Sequence, residues 1–317
     1  MIFLDKQIKE FLEKLFEPET RPVQNLLFWG EEFTGKKTIA LAFAQSLLCL
    51  KDKKKWSGCR NCQSCLRLKK GYHPDLMVLS SEDDTLKMNN AIKAIEFLSY
   101  KPQFSKFRIL IIDNAEQLTE EAQNAFLKTL EEPAENCLVI LISSMPDKLL
   151  ETVRSRLLPL RFKKLSTQKI TNFLIKNFSI EPEKAKKISE LSEGKICLAL
   201  KFKEGNFLEK VEKIEKDLEN ILKADFNEQS RYCEQLTKDK KDKSEIFESL
   251  KIWLRFLKRE IKNEIKGEKT SLKLSLKQRA KLAKEILTAY NLINDSNINT
   301  RLLLENIFLN YVQLQSS

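Results

Sequence analysis

Leu26-Leu27-Phe28-Trp29-Gly30-Glu31-Glu32-Phe33-Thr34-Gly35-Lys36-Lys37-Thr38 runs from a short apolar segment through Gly-x4-Gly-Lys into an apolar helix. This is the phosphate-loop pattern: a strand ends at the first Gly, and backbone N–H groups at a helix N-terminus wrap phosphate oxygens. The intact pattern continues with Ser or Thr, whose hydroxyl holds Mg²⁺, but here Lys37 stands in that place. Thr38 does not substitute, because one helical step turns its side chain by about 100°. Gly30, Gly35, Lys36 and Thr38 are therefore candidate nucleotide-binding residues of a degenerate site, one poorly equipped to hydrolyse its ligand.

Outward from this loop, apolar β-rich runs recur at 26–29, 76–79, 109–112, 138–142 and 158–162, with helical segments between them. Five buried strands alternating with helices predict a parallel α/β sheet. All eight prolines lie at or before Pro182, which leaves 183–317 free to be helical. There, Phe247, Leu250, Leu254, Leu257 and Ile261, and again Leu302 and Phe308, form apolar stripes, expected as core or as a partner-facing surface. The predicted class is α/β followed by all-α.

With 317 residues, the chain exceeds a single common domain, and 42% hydrophobic residues suffice for real cores. No apolar run approaches the roughly 20 residues of a membrane span, and Asp5 and Lys6 interrupt any secretory core. A soluble cytoplasmic protein is expected. Net charge is +11, with +3 in residues 1–163 and +8 in 164–317. That balance fits either a phosphate-backbone partner or an ordinary solvated surface of alternating charges. No internal repeat is visible, and the low-complexity stretches are short Lys-rich ones at 51–55 and 238–243.

Four of the seven cysteines follow Cys49-x9-Cys59-x2-Cys62-x2-Cys65, with Gly58 and Asn61 as turn residues. The spacing suits one tetrahedral zinc at about 2.3 Å per Zn–S bond. Four thiolates leave no open position, so the expected Zn²⁺ is structural. Disulfides are the competing reading, disfavoured in a reducing compartment. Lys51, Lys53, Lys54, Lys55 and Arg60 would offset the thiolate charge or touch DNA. Cys137, Cys197 and Cys233 read as buried small hydrophobes.

The third strand ends in Ile111-Ile112-Asp113-Asn114-Ala115-Glu116. An active ATPase places there an Asp that assists magnesium and then a Glu that polarises water. This chain has Asp113 but Asn114 next, and Glu116 reads as a surface carboxylate. Glu131-Glu132 and Asp83-Asp84 also read as surface, and the sole histidine, His73, as structural before Pro74. No Ser/His/Asp or Cys/His arrangement is present.

Further segments stand beside these: Tyr72-His73-Pro74-Asp75-Leu76, Ala122-Gln123-Asn124-Ala125-Phe126-Leu127-Lys128-Thr129-Leu130-Glu131-Glu132-Pro133 and Val153-Arg154-Ser155-Arg156. Over roughly residues 20–163 the set resembles the bacterial DNA polymerase III clamp-loader subunits of the AAA+ family. The resemblance implies 1–163 as the nucleotide-fold module with the zinc insert, 164–205 as a small helical lid and 206–317 as a helical collar. Within the family, γ/τ subunits are ATP-hydrolysing motors and δ′ is a rigid stator. The departures at Lys37 and Asn114 favour the stator type, possessing ATP bound without hydrolysis at most. Gly194-Lys195-Ile196-Cys197-Leu198-Ala199-Leu200 is similar to the lid motif in which motors carry a sensing Arg, and Cys197 stands at that position. The family's Ser-Arg-Cys motif appears as Ser155-Arg156-Leu157, which implies Arg156 as a finger reaching a neighbour's ATP. The implied partners are γ/τ and δ subunits, the sliding clamp and primed DNA. Two other readings remain at this point: a γ-type motor with an unusual loop, and a stand-alone zinc-bearing DNA-binding module.

Overall fold

A computed structural model describes residues 3, 6–15, 25–51, 56, 58–80, 86–204, 207–237, 243–293 and 299–315. The expectations for Asp83-Asp84, for Lys53, Lys54 and Lys55, and for most of 238–243 lie outside these residues. The chain divides into two compact units, Met1–Lys201 and Phe202–Ser317.

The first unit opens with α1 (Lys6–Lys14) and holds five strands: β1 (Asn25–Trp29), β2 (Leu76–Ser80), β3 (Arg108–Asp113), β4 (Cys137–Ser143) and β5 (Leu158–Arg161). Between them run α2 (Lys36–Leu48), α3 (Gln63–Lys69), α4 (Met88–Ser99), α5 (Glu120–Glu131) and α6 (Glu151–Arg154). The strands pair in the order β2-β3-β4-β1-β5, all parallel. Every residue of β3 and β4 is buried, as a sheet covered on both faces requires. One face packs Leu26, Phe28, Ile109, Ile111, Leu138 and Ile140 against α2; the other packs Leu110, Ile112, Val139 and Leu141 against α4 and α5. Three helices follow, α7 (Thr167–Phe178), α8 (Pro182–Leu191) and α9 (Ile196–Lys203). Ser166 caps α7 by accepting the Lys169 N–H, and Pro182 sits in the first turn of α8.

The Tyr72–Leu76 segment is held from within. Asp75 is fully buried, and its carboxylate accepts the backbone N–H groups of Gln103 (2.7 Å), Phe104 (2.8 Å) and Ser105 (3.0 Å). Burial raises its pKa, but these bonds outweigh burial and hold it below the usual carboxylate range. Replacing Asp75 with Ala removes the acceptor of three part-buried backbone donors and is expected to cost about 1–3 kcal/mol, read as a lower urea midpoint. Because the folded pKa is depressed, this contribution is present above the unfolded value of about 3.9 and is lost as pH falls through the folded value. The wild type and Asp75→Ala should therefore differ at neutral pH and converge only in stronger acid. His73 is structural, as expected: its Nδ1 accepts the Asp75 N–H at 3.0 Å, and Nε2 lies 2.8 Å from Ser64 Oγ. Burial lowers its pKa, which keeps the ring neutral.

The second unit is helical: α10 (Phe207–Ile221), α11 (Phe226–Thr237), α12 (Lys243–Ile265), α13 (Leu276–Leu292) and α14 (Thr300–Gln315). The expected stripe on α12 is only partly right. Leu250 and Leu257 are buried, but Phe247, Leu254 and Ile261 are half-buried, whereas Ile252, Trp253 and Phe256 are fully enclosed. The reason is that α12 packs against both α10 and α13, so its buried arc is wider than one stripe. Leu302 is 58% exposed, whereas Phe308 is buried. Sequence reading also missed an ion pair built on a buried arginine. Arg279, 2% exposed, donates to the Glu264 carboxylate and to Leu272 O (2.7 Å), and the Glu260 carboxylate accepts the N–H groups of Ser271 and Leu272.

Candidate functional site

Gly30, Asp113 and Ser143 all lie at the carboxyl ends of parallel strands, the edge on which open α/β sheets bind ligands. Gly30 has φ +143, and a Cβ on it would stand 2.3 Å from Phe162 O, so only glycine lets the loop leave β1 beside β5. The loop then turns into α2 through Gly35.

The side chains of this loop bond to the protein itself. Lys36 is 6% exposed, and its ammonium donates to Gly30 O (2.6 Å), Glu31 O (2.8 Å) and Ser144 Oγ (3.2 Å). Burial lowers its pKa, opposed by the charges of Glu116, Glu32 and Asp113. Glu116 is thus not the surface carboxylate expected. It is half-buried, accepts the Ser144 N–H at 3.1 Å, and its Oε2 is enclosed without a hydrogen-bond partner. The 3-10 turn after β3 folds it back toward the loop, which its position two residues past Asn114 did not reveal.

Lys37 reaches Asp113: Nζ lies 3.0 Å from Oδ2. The ammonium therefore sits against the carboxylate that would assist the metal in an active ATPase. Thr38 is exposed, with its hydroxyl 3.9 Å from Cys197 Sγ. A site with an ammonium against its acidic residue, and without a hydroxyl beside it, does not fit Mg²⁺. Asn114 is left-handed (φ 55), which suits Asn at the strand-to-turn corner.

Cys197 departs from the expectation of a buried small hydrophobe. It is half-buried against the phosphate loop, and its N–H donates to Phe33 O at 3.0 Å. Burial raises its thiol pKa. Two ion pairs also join this segment to the loop, from Glu31 to Lys164 (2.7 Å) and Lys195 (3.3 Å). Cys137 and Cys233 are buried as expected.

The four cysteines of the insert come together. The sulfurs of Cys49, Cys59, Cys62 and Cys65 all lie within 4.8 Å of one another, and none of the chain's seven cysteines is in a disulfide. Cys49 ends α2, Cys62 caps α3 and Cys65 lies in its first turn. Backbone N–H groups of Cys59, Cys62 and Cys65 donate to the sulfurs of Cys49, Cys59 and Cys62 at 3.3–3.4 Å, a pattern that favours thiolates. Burial raises Cys62, but the N–H groups of Cys65 and Leu50 overcome it and bring the thiol down to about 6; burial pushes Cys65 up to about 12. A Cβ on Gly58 would stand 2.7 Å from Cys65 Sγ, so glycine lets the loop close over the sulfurs. This donor set fits a structural zinc held by all four thiolates. Arg60, in the same loop, adopts φ 62.

Arg156 follows the short α6, at the opposite end of β5 from the phosphate loop's neighbour Arg161. Its guanidinium pairs with the Glu131 carboxylate and donates to Thr152 O at 2.6 Å. Glu131 is thus a surface residue with a specific partner.

A family model described as DNA polymerase III, delta subunit, matches residues 5–166, about half of the chain. The chain belongs to this family. Its relatives in the polymerase III group include the DNA polymerase III subunit delta′ of Bacillus subtilis strain 168, 32% identical over 166 residues, covering 52% of this chain and 50% of that protein. The subunit tau/gamma of Haemophilus influenzae is 30% identical over 175 residues, 54% of this chain and 25% of that protein. A gamma subunit-related protein of solved structure from Thermotoga maritima covers 97% of this chain and 98% of its own, with TM-score 0.48 and 17% identity. The chain spans between a quarter and a half of the length of these curated relatives. Among the described residues no helix is long and apolar enough to cross a membrane.

Proposed function

We propose that this chain is a δ′-type stator of the DNA polymerase III clamp loader, working in the cytoplasm. The observation that carries the reading is the Lys37–Asp113 pair at 3.0 Å, which takes the place of the metal that a motor subunit needs. Asn114 removes the carboxylate that would polarise water, and Cys197 offers no cation to a γ-phosphate. Residues 1–163 then serve as the nucleotide-fold module, with Gly30, Gly35, Lys36, Thr38 and Asp113 holding ATP without turning it over. Residues 164–205 act as the lid and 206–317 as the collar that joins γ/τ and δ subunits. Arg156 serves the neighbouring motor: a guanidinium is permanently charged and presents planar donors to the γ-phosphoryl group. The assembled ring acts on the sliding clamp at primed DNA.

The tau/gamma relatives favour a second reading, a motor subunit. The two are separated by the purified chain. As a stator it shows no ATP turnover above buffer and forms a stable complex with motor subunits on size exclusion. Steady turnover by the chain alone would make it a motor, and failure to assemble would remove the clamp-loader reading.

A further inference from the structure

We infer that the phosphate-loop site works without a divalent metal, the Lys37 ammonium serving as the fixed counter-ion that Asp113 and a bound polyphosphate would otherwise take from Mg²⁺. The inference rests on the stator reading and goes further, because an idle site could still take an ordinary metal–nucleotide complex.

Three features of the site carry it. The Lys37 ammonium is on Asp113 at 3.0 Å, and the Asp113 side chain is only 11% exposed, so little room remains beside it for a second, hydrated cation. Mg²⁺ demands near-octahedral oxygen ligands and keeps several waters, and two cations on one carboxylate repel each other. The hydroxyl that could help hold it is misdirected, since Thr38 Oγ1 faces Cys197 Sγ. Lys36 meanwhile remains inside the cradle, where the Gly30 and Glu31 carbonyls and Ser144 hold its ammonium. The loop thus keeps two lysines beside its glycines and lacks a place for the ion. The ligand class is a nucleoside polyphosphate free of metal. A diphosphate suits the site better than a triphosphate, because a Lys–Asp pair carries one positive charge fewer than a Mg²⁺–Asp pair.

The test is calorimetric titration of the full chain with ADP, once with Mg²⁺ and once with EDTA. Wild type should bind equally, within about twofold, in both buffers, because the ammonium stays in place whatever the buffer contains. Lys37→Thr restores a hydroxyl and uncovers Asp113, and its ADP affinity should rise about tenfold on adding Mg²⁺. Lys37→Met, which removes the charge without offering a ligand, should bind about tenfold more weakly than wild type in EDTA and keeps the test sound if the Thr variant does not fold. Wild-type binding that requires Mg²⁺, or no ADP binding in either buffer, would overturn the inference while leaving the stator reading intact. ATP turnover would instead strike the stator reading.

Discussion

Arg156→Ala, placed in an assembled complex, is expected to slow ATP turnover at the adjoining motor site by about 10³-fold or more in single-turnover measurements, the lower end of what a trans arginine supplies. Arg156→Lys should recover little of this, since a lysine keeps the charge but loses the planar pair of donors. In the isolated chain the guanidinium rests on Glu131 and on Thr152 O. That resting contact is weak: the side chains of Arg156 and Glu131 are 32% and 50% exposed, and such surface pairs contribute about 0.2–1 kcal/mol. The arginine can therefore leave for a neighbouring phosphate at little cost. Glu131→Gln supplies the control, because it removes the resting partner and leaves Arg156 in place. Turnover should hold or rise in Glu131→Gln and collapse in Arg156→Ala. Equal, wild-type turnover in both would reduce Arg156 to a surface residue.

The second large effect is expected at the cysteine cluster. Cys65 is fully buried, and Cys65→Ala removes one of four sulfurs gathered within 4.8 Å. Structural zinc is worth about 10–16 kcal/mol in isolated zinc-finger peptides. In a unit with its own sheet and core, a loss of at least about 3 kcal/mol is a conservative share. For a unit of this size that lowers Tm by about 6–12 °C. Elemental analysis should find one zinc per wild-type chain and almost none in Cys65→Ala. A chelator should reproduce the fall in Tm, and a reductant should leave Tm unchanged. Loss of stability on reduction without any metal content would replace the zinc centre with disulfides. Zinc retention should also weaken as pH falls, because protons compete for the four sulfurs.

The sheet was legible because its signal is local. Each expected strand lies within one residue or so of its observed bounds, since a strand buried on both faces writes a continuous apolar run between turn residues. The four-cysteine cluster was legible for a similar reason, as 17 residues of chain contain all its ligands. The Lys37–Asp113 pair was not. The sequence shows that Lys37 cannot hold a metal, but its contact with a residue far along the chain depends on strand order, with β4 lying between β1 and β3. Glu116 was misread because its exposure is decided by a 3-10 turn that has no periodic signature. Cys197 gave no composition cue; its place beside the loop was signalled by the likeness of 194–200 to the lid motif, and in the fold it follows from how α9 begins. On α12, a single-stripe reading failed because two neighbours bury two sides of one helix. The Arg279–Glu264 pair could be suspected only as charges in amphipathic helices, which usually face water.

Lys37 and Asp113 also bear on how such a chain changes over generations. Each neutralises the other in a cleft where Asp113 is nearly enclosed, so altering either one leaves a lone charge behind. Thr or Ser placed at 37 would still stand with Asn114, and Glu placed at 114 would still stand with the lysine. Neither single change supplies the hydroxyl and the water-polarising carboxylate together, so on the stator reading both positions must change before the pocket can turn over nucleotide.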